Sequence, residues 1–186
     1  MRALVTGGAG FIGSNLVDEL INQGHQVIVI DNESATENDR FYWNDKAKNY
    51  KYDICDYKKI EPLFKGVDWV FHLAAQSRIQ PAVKNPIRTV RVNCEGTTNI
   101  LQASRTHKVK RVVYSSTSAC YGLINEPPLH EEMTPDCLNP YSVTKVAAED
   151  ICNMYTRLFG LETVMFRYFN VYGERQPTKG QYAPVV

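Results

Sequence analysis

Tyr141-Ser142-Val143-Thr144-Lys145 sets a phenol and an ammonium four residues apart at the start of a helical stretch. That spacing puts both on one helical face. A nearby cation favours phenolate and lowers a tyrosine pKa toward neutrality. A tyrosine tuned this way can exchange a proton with a substrate hydroxyl. Taken alone the pair says little, because many surface helices carry a solvated contact of this kind. Its surroundings say more. Pro140 precedes it, the hydroxyl of Thr117 closes an apolar run upstream, and the chain opens on a turn suited to phosphate.

That turn is Thr6-Gly7-Gly8-Ala9-Gly10-Phe11-Ile12-Gly13, directly after the apolar run Ala3-Leu4-Val5. It reads as strand, glycine turn and helix, the arrangement that holds a dinucleotide pyrophosphate. Gly7 permits the tight turn, Gly10 clears the approach to phosphate, and Gly13 lets the following helix pack close to the strand. The helix N-terminus adds unpaired N–H groups and a positive dipole end. Helical periodicity follows at Leu16, Val17, Leu20 and Ile21, then Gly24 as a stop, then a strand ending at Asp31. An acid there is placed to take the adenosine ribose hydroxyls. No arginine stands beside Asp31 to receive a 2′-phosphate, so NAD is favoured over NADP. Tyr141 would then move the proton while NAD takes the hydride.

These residues need a scaffold, and the rest of the chain supplies its outline. Strands are expected at Ala3–Thr6, Gln26–Asp31, Tyr50–Asp53, Trp69–His72, Arg111–Ser115 and Thr163–Arg167. Helices are expected at Phe11–Asn22, Tyr57–Phe64, Pro86–Thr106 and Tyr141–Phe159, with a short one near Arg78–Val83. Alternating strands and helices predict an α/β fold, a Rossmann-like doubly wound parallel sheet with helices on both faces. Ligands of such sheets sit beyond the carboxyl ends of the strands. The proline-rich stretch Leu123–Pro140 reads as a long loop of the kind that often covers a site. His72 ends a strand and reads as a packed or hydrogen-bonded residue, not a ligand.

Bulk properties narrow the classes. The 186 residues suit one domain with a substantial core. A net charge of +1 with no basic stripe argues against nucleic-acid or membrane-surface partners. No apolar run is long enough to span a bilayer. A strand begins at once, so no secretory leader is expected. Cys55, Cys94, Cys120, Cys137 and Cys152 lie far apart without metal-ligand spacing, so no metal is expected. Their odd number reads as reduced thiols in a cytoplasmic protein.

Taken together, the motifs resemble the extended short-chain dehydrogenase/reductase family. Within it they are similar to the NAD-dependent nucleotide-sugar 4-epimerases of the UDP-glucose and UDP-N-acetylglucosamine type. The resemblance rests on Thr6–Gly13, Asp31, Asp53-Ile54, His72–Gln76, Asn93, Ser115–Gly122, Asn139–Lys145 and Arg167–Gly173. It implies Tyr141 as catalytic base and acid, Lys145 on the nicotinamide ribose, and Thr117 on the reacting sugar hydroxyl. Gly7, Gly10, Phe11, Ile12, Gly13, Asp31 and Asn32 would hold the adenosine half and pyrophosphate, with Asp53 and Ile54 at adenine. Leu73, Ala74, Ala75, Asn93 and Ser115 would line the cofactor, and Tyr168 would lie at its nicotinamide end. Gln76, Arg78 and Asn170 would join Thr117 and Tyr141 around the UDP-sugar, Asn170 at its diphosphate. The implied reaction is epimerisation at C4 of a UDP-hexose through a transient 4-keto sugar. A homodimer through the Pro86–Thr106 and Tyr141–Phe159 helices is also implied.

Two features qualify the resemblance. Thr117 is followed by Ser118-Ala119, where the dehydratases carry an Asp-Glu pair, which argues against loss of water. A decarboxylase stays open, although those relatives usually show a glutamate near Ala119. Arg78 is placed to meet a uronic acid carboxylate or a phosphate, or is a solvated arginine. Family members also run on well past Tyr182–Val186, inside what reads as a continuing element. Residues 1–186 are therefore expected to be the NAD-binding domain with the catalytic pair, most of the C-terminal substrate domain being absent. An NAD-binding fragment without turnover is the alternative, as is a reductase of the same family.

Overall fold

The computed structural model describes residues 1–36, 38 and 40–178. The expectation for Tyr182–Val186 lies outside them. Six strands form one sheet: β1 (Arg2–Thr6), β2 (Gln26–Asp31), β3 (Lys48–Lys51), β4 (Trp69–His72), β5 (Arg111–Thr117) and β6 (Glu162–Tyr168). All neighbours pair in parallel, in the order β3-β2-β1-β4-β5-β6. The chain order reverses between β1 and β4, the switch point where such sheets take ligands.

The strands follow from their apolar runs. Ala3, Leu4 and Val5 of β1 are fully buried, as a central parallel strand covered on both faces requires. Alternation sends Leu4, Ile28 and Ile30 to one core and Ala3, Val5, Val27 and Val29 to the other. The first core is closed by α2 (Tyr57–Ile60), α5 (Thr97–Thr106) and α6 (Pro140–Phe159), and the second by α1 (Phe11–Asn22). Helices therefore lie on both faces, as expected. The strand expected at Tyr50–Asp53 forms two residues earlier, at Lys48–Lys51. It is the sheet's edge, where lysines rather than apolar alternation mark the strand.

Two helices differ from expectation. After Ile60 the chain tightens into a 3₁₀ turn over Glu61–Phe64, where Pro62 supplies no N–H. The expected Pro86–Thr106 helix is three pieces: α4 (Pro86–Val90), a π-helical Arg91–Gly96, and α5. At this widened turn the Thr97 and Thr98 hydroxyls donate to the carbonyls of Asn93 and Cys94, at 2.6 and 2.8 Å. Such back-bonding bends helices. Gly96 lets the turn press on α2's approach, since a Cβ there would meet Ile54 Cδ1 at 2.6 Å. The short helix α3 spans Ile79–Lys84. Ile87, Val143 and Leu158 leave an apolar row exposed on α4 and α6. No helix among the described residues is long and apolar enough to cross a membrane.

Candidate functional site

The carboxyl ends of the strands border a cleft of ≈ 640 Å³. Its floor is the glycine turn. Gly7 sits at φ +69°, and a Cβ there would lie 2.7 Å from the Ala74 nitrogen. A Cβ on Gly13 would lie 2.1 Å from the Gly7 carbonyl oxygen, so Gly13 packs the helix onto the turn itself, rather than onto the strand as expected. Helix α1 starts at Gly10 with no capping side chain. Its first-turn N–H groups therefore lack partners within the helix. This open cradle, which any side chain would fill, fits a pyrophosphate.

Asp31 stands beside the cradle at the end of β2. Burial raises its pKa, and hydrogen bonds from the Glu33 and Ala9 N–H groups, at 2.8 and 3.1 Å, oppose that rise. Both oxygens keep a lone pair for ribose hydroxyls. Asp31 also anchors Ala9 of the turn, a structural duty its position alone did not disclose. Phe41 closes this end of the cleft.

The opposite end holds the expected reactive groups. Asn139 caps α6 by accepting the Ser142 N–H at 2.9 Å, and Pro140 takes the first helical position. This start places Tyr141 in the first turn and Lys145 in the second. Both line the cleft with Thr117. The Lys145 ammonium is buried and donates to the Ser115 carbonyl at 2.7 Å, 4.7 Å above the Tyr114 ring centroid. Burial pulls its pKa down to about 8. Thr117 Oγ1 accepts the Ala119 N–H at 3.1 Å, so the hydroxyl keeps its own proton to donate. Gly7, Gly10, Phe11, Ile12, Gly13, Asp31, Asn32, Ile54, Leu73, Ala74, Ala75, Ser115 and Tyr168 line the same cleft, as do Arg78 and Asn170.

Three expected residues do not line it. Asn93 is buried one layer back. Its Oδ1 accepts the Gln76 N–H at 2.8 Å, and its amide donates to Gln76 O at 3.2 Å and Thr144 Oγ1 at 2.9 Å. It braces the segment after β4 against α6 instead of facing a cofactor. Gln76 is correspondingly held by its backbone. Asp53 accepts from Asn32 Nδ2 at 2.9 Å and from Cys55 N at 2.8 Å. Burial would raise its pKa, but these bonds outweigh it and hold the carboxyl below the usual range. The Leu123–Pro140 loop likewise contributes nothing to the cleft wall. It folds on Asp136, whose carboxylate takes the Leu123 and Ile124 N–H groups at 2.8 and 3.2 Å.

Two polar clusters behind the wall carry more order than their sequence suggested. His72, fully buried, lies between Thr6 Oγ1 at 2.7 Å and Thr97 Oγ1 at 2.9 Å. Thr97 donates to Asn93 O, so it must accept from His72 Nε2–H. Burial, helped by the Lys145 charge, pushes the His72 pKa down to about 3. The neutral ring then accepts the Thr6 proton at Nδ1, and Thr6 Oγ1 accepts the Ala74 N–H at 3.2 Å. Behind Thr117, the buried Glu149 accepts from Ser116 Oγ and, through a forked pair, from Arg167 at 2.8–3.3 Å. That pair raises the Arg167 pKa and joins β5, β6 and α6. Among the described residues no group of metal-ligating side chains gathers.

Residues 3–185 match the family described as the NAD dependent epimerase/dehydratase family. A putative UDP-glucose 4-epimerase of Methanocaldococcus jannaschii is 41% identical over 96% of this chain and 58% of its own length. A UDP-N-acetyl-alpha-D-glucosaminuronate decarboxylase of Bacillus cytotoxicus is 35% identical, over 100% of this chain and 59% of its own. The crystal structure of UDP-glucose 4-epimerase from Thermotoga maritima with UDP-glucose superimposes with a TM-score of 0.92 at 38% identity. It is matched over 98% of this chain and 60% of that one. The chain thus spans less than two-thirds of the length of these proteins.

Proposed function

The chain belongs to the NAD-dependent epimerase/dehydratase family, and from that premise we propose that it carries the cofactor site and reactive residues of a UDP-hexose 4-epimerase. One observation carries the choice of reaction within the family. The catalytic end of the cleft holds a hydroxyl, a phenol and an ammonium, while Ser118 and Ala119 stand where an acid–base pair for loss of water would be needed. The only carboxylate among the described lining residues, Asp31, belongs to the cradle end.

The residues present fit NAD: the open glycine cradle takes the pyrophosphate, Asp31 the ribose hydroxyls, and Lys145 the nicotinamide ribose. When bound, NAD supplies a hydride acceptor and donor beside the sugar carbon. Tyr141, as phenolate beside the Lys145 ammonium, accepts the proton of the sugar 4-hydroxyl and later returns it. Thr117 donates to the same oxygen and orients it. Asn170 binds the diphosphate, so that remote binding energy holds C4 against Tyr141. The sugar passes through a 4-keto form, turns over, and leaves with C4 inverted and no net redox change. The exposed row on α4 and α6 supports a homodimer joined through these helices.

An NMR time course tests this reading, with NAD and a panel of UDP-hexoses, following anomeric signals for the C4 epimer. Epimer is expected from the chain itself. The Tyr141→Phe variant should lose about two to four orders of magnitude of rate while binding NAD as before. A variant that keeps most of its activity removes Tyr141 from the mechanism. No epimer from any sugar, with NAD bound, reduces the chain to a cofactor-binding module.

A further inference from the structure

Two cations line the cleft among the described residues, Lys145 and Arg78. Lys145 has a partner in the Ser115 carbonyl. The half-buried Arg78 guanidinium makes no hydrogen bond, ion pair or ring contact with any described residue, and no carboxylate stands at its end of the cleft. Holding a partly buried charge without a partner is unfavourable. An arginine in that state is suited to an incoming oxyanion, which its planar fork grips with two parallel hydrogen bonds.

The backbone around Arg78 is fixed relative to the reacting groups. Asn93 clamps Gln76, two residues before it, to Thr144, the neighbour of Lys145. The Arg78 carbonyl accepts the Ala82 N–H at 3.1 Å to begin α3, which packs against α6. The strand order then sets the direction. β5 lies between β4 and β6, so Thr117 stands between the segment bearing Arg78 and the segment bearing Asn170. A nucleotide sugar with its diphosphate at Asn170 and its 4-hydroxyl at Thr117 and Tyr141 turns its far side toward Arg78. In a hexopyranose C6 is two bonds from C4, so in one of the two orientations between which the sugar turns over the substituent at C6 comes to that side.

We infer that Arg78 is a specificity residue that pairs with the C6 carboxylate, making the preferred substrate class a UDP-hexuronate. The inference rests on the C4-epimerase reading above and names the sugar for that site. The pair forms at a part-open cleft wall, so added salt should weaken it.

Titration calorimetry on the NAD-loaded chain with UDP-glucuronate and with UDP-glucose tests it. UDP-glucuronate should bind on the order of tenfold or more tightly. Arg78→Gln should bring its affinity down to that for UDP-glucose, and Arg78→Lys should keep part of the preference, as a point charge without the fork. NAD affinity, measured on each variant, reports that the site is intact. Equal weakening of both sugars by Arg78→Gln would assign the residue to the diphosphate and overturn the inference. Loss of NAD affinity would assign it to the cofactor, with the same result. A wild-type chain that binds the two sugars equally, or binds NAD and neither sugar, also overturns it. Failure to bind NAD would instead remove the functional reading beneath it.

Discussion

Replacing Lys145 by methionine should stabilise the free chain at neutral pH and destabilise it at high pH. The ammonium is almost fully buried and its pKa falls from 10.5 to about 8. At ~1.4 kcal/mol per pH unit, the protonated folded form carries a penalty of about 3 kcal/mol at pH 7. Methionine has a similar length and no charge, so it sheds that penalty. It also gives up the bond to the Ser115 carbonyl, worth about 1 kcal/mol for a neutral amine. The expected net gain at pH 7 is about 2 kcal/mol. The sign then changes with pH. Between about pH 8 and 10.5 the unfolded chain holds a proton that the folded chain has released, so wild-type stability rises with pH through that window. The variant lacks this rise. By pH 10.5 the wild type should lead by about 1 kcal/mol. Urea unfolding of both proteins, followed by Trp43 and Trp69 fluorescence from pH 7 to 10.5, reads the difference. Other titrating groups are common to both chains and cancel. A difference that stays constant with pH would refute the reasoning, because it would mean that folding does not tax the ammonium. The expected gain would come with loss of the role proposed for Lys145 in catalysis, as for a site held against stability for the sake of function.

Gly13→Ala puts a Cβ 2.1 Å from the Gly7 carbonyl oxygen, which the turn cannot absorb without moving. It should cost about 1–3 kcal/mol and most of the affinity for NAD, read by thermal melts and ligand titration. His72 makes a contribution of the same pH sign as Lys145, in a lower pH window. Its folded pKa of about 3 lies below the ordinary 6.5, so the stability it confers is complete above pH 6.5 and is lost as pH falls toward 3. Thr97→Val leaves His72 Nε2–H and the Asn93 carbonyl without their shared hydroxyl. It should cost about 1–3 kcal/mol at pH 7, measured by urea unfolding, and a change under ~0.5 kcal/mol would contradict the assigned chain of donors.

What could be read in advance was whatever a short stretch of backbone decides. The glycine turn and the Tyr141–Lys145 pair each depend on residues a few positions apart, and the structure places both in the cleft wall. Hydrophobic alternation located the interior strands for the same reason. It was two residues late at β3, where an edge strand has little to bury. The polar interior was hidden because its partners are chosen by the sheet, not by spacing. His72 meets Thr97 across 25 residues, Asn93 meets Thr144 across 51, and the Ala74 N–H meets Thr6 across 68. A usable signal did exist. Thr6 and His72 are the last residues of their strands, and β1 and β4 pair with those two directly opposite. Once the strand order is accepted, a threonine beside a buried histidine at the switch point calls for a proton-ordered bond and a second acceptor on the covering helix. The same reasoning explains why Asn93 was misplaced. A resemblance to a family pattern marks the position without saying whether it touches the ligand or holds what does. Here the π-helical turn carries Asn93 into the interior, where its amide fixes the segment leading to Arg78 against the helix bearing Tyr141 and Lys145. In the proposed reaction its part is therefore one of geometry: removing it should loosen the distance between the two ends of a bound sugar rather than remove a contact with either.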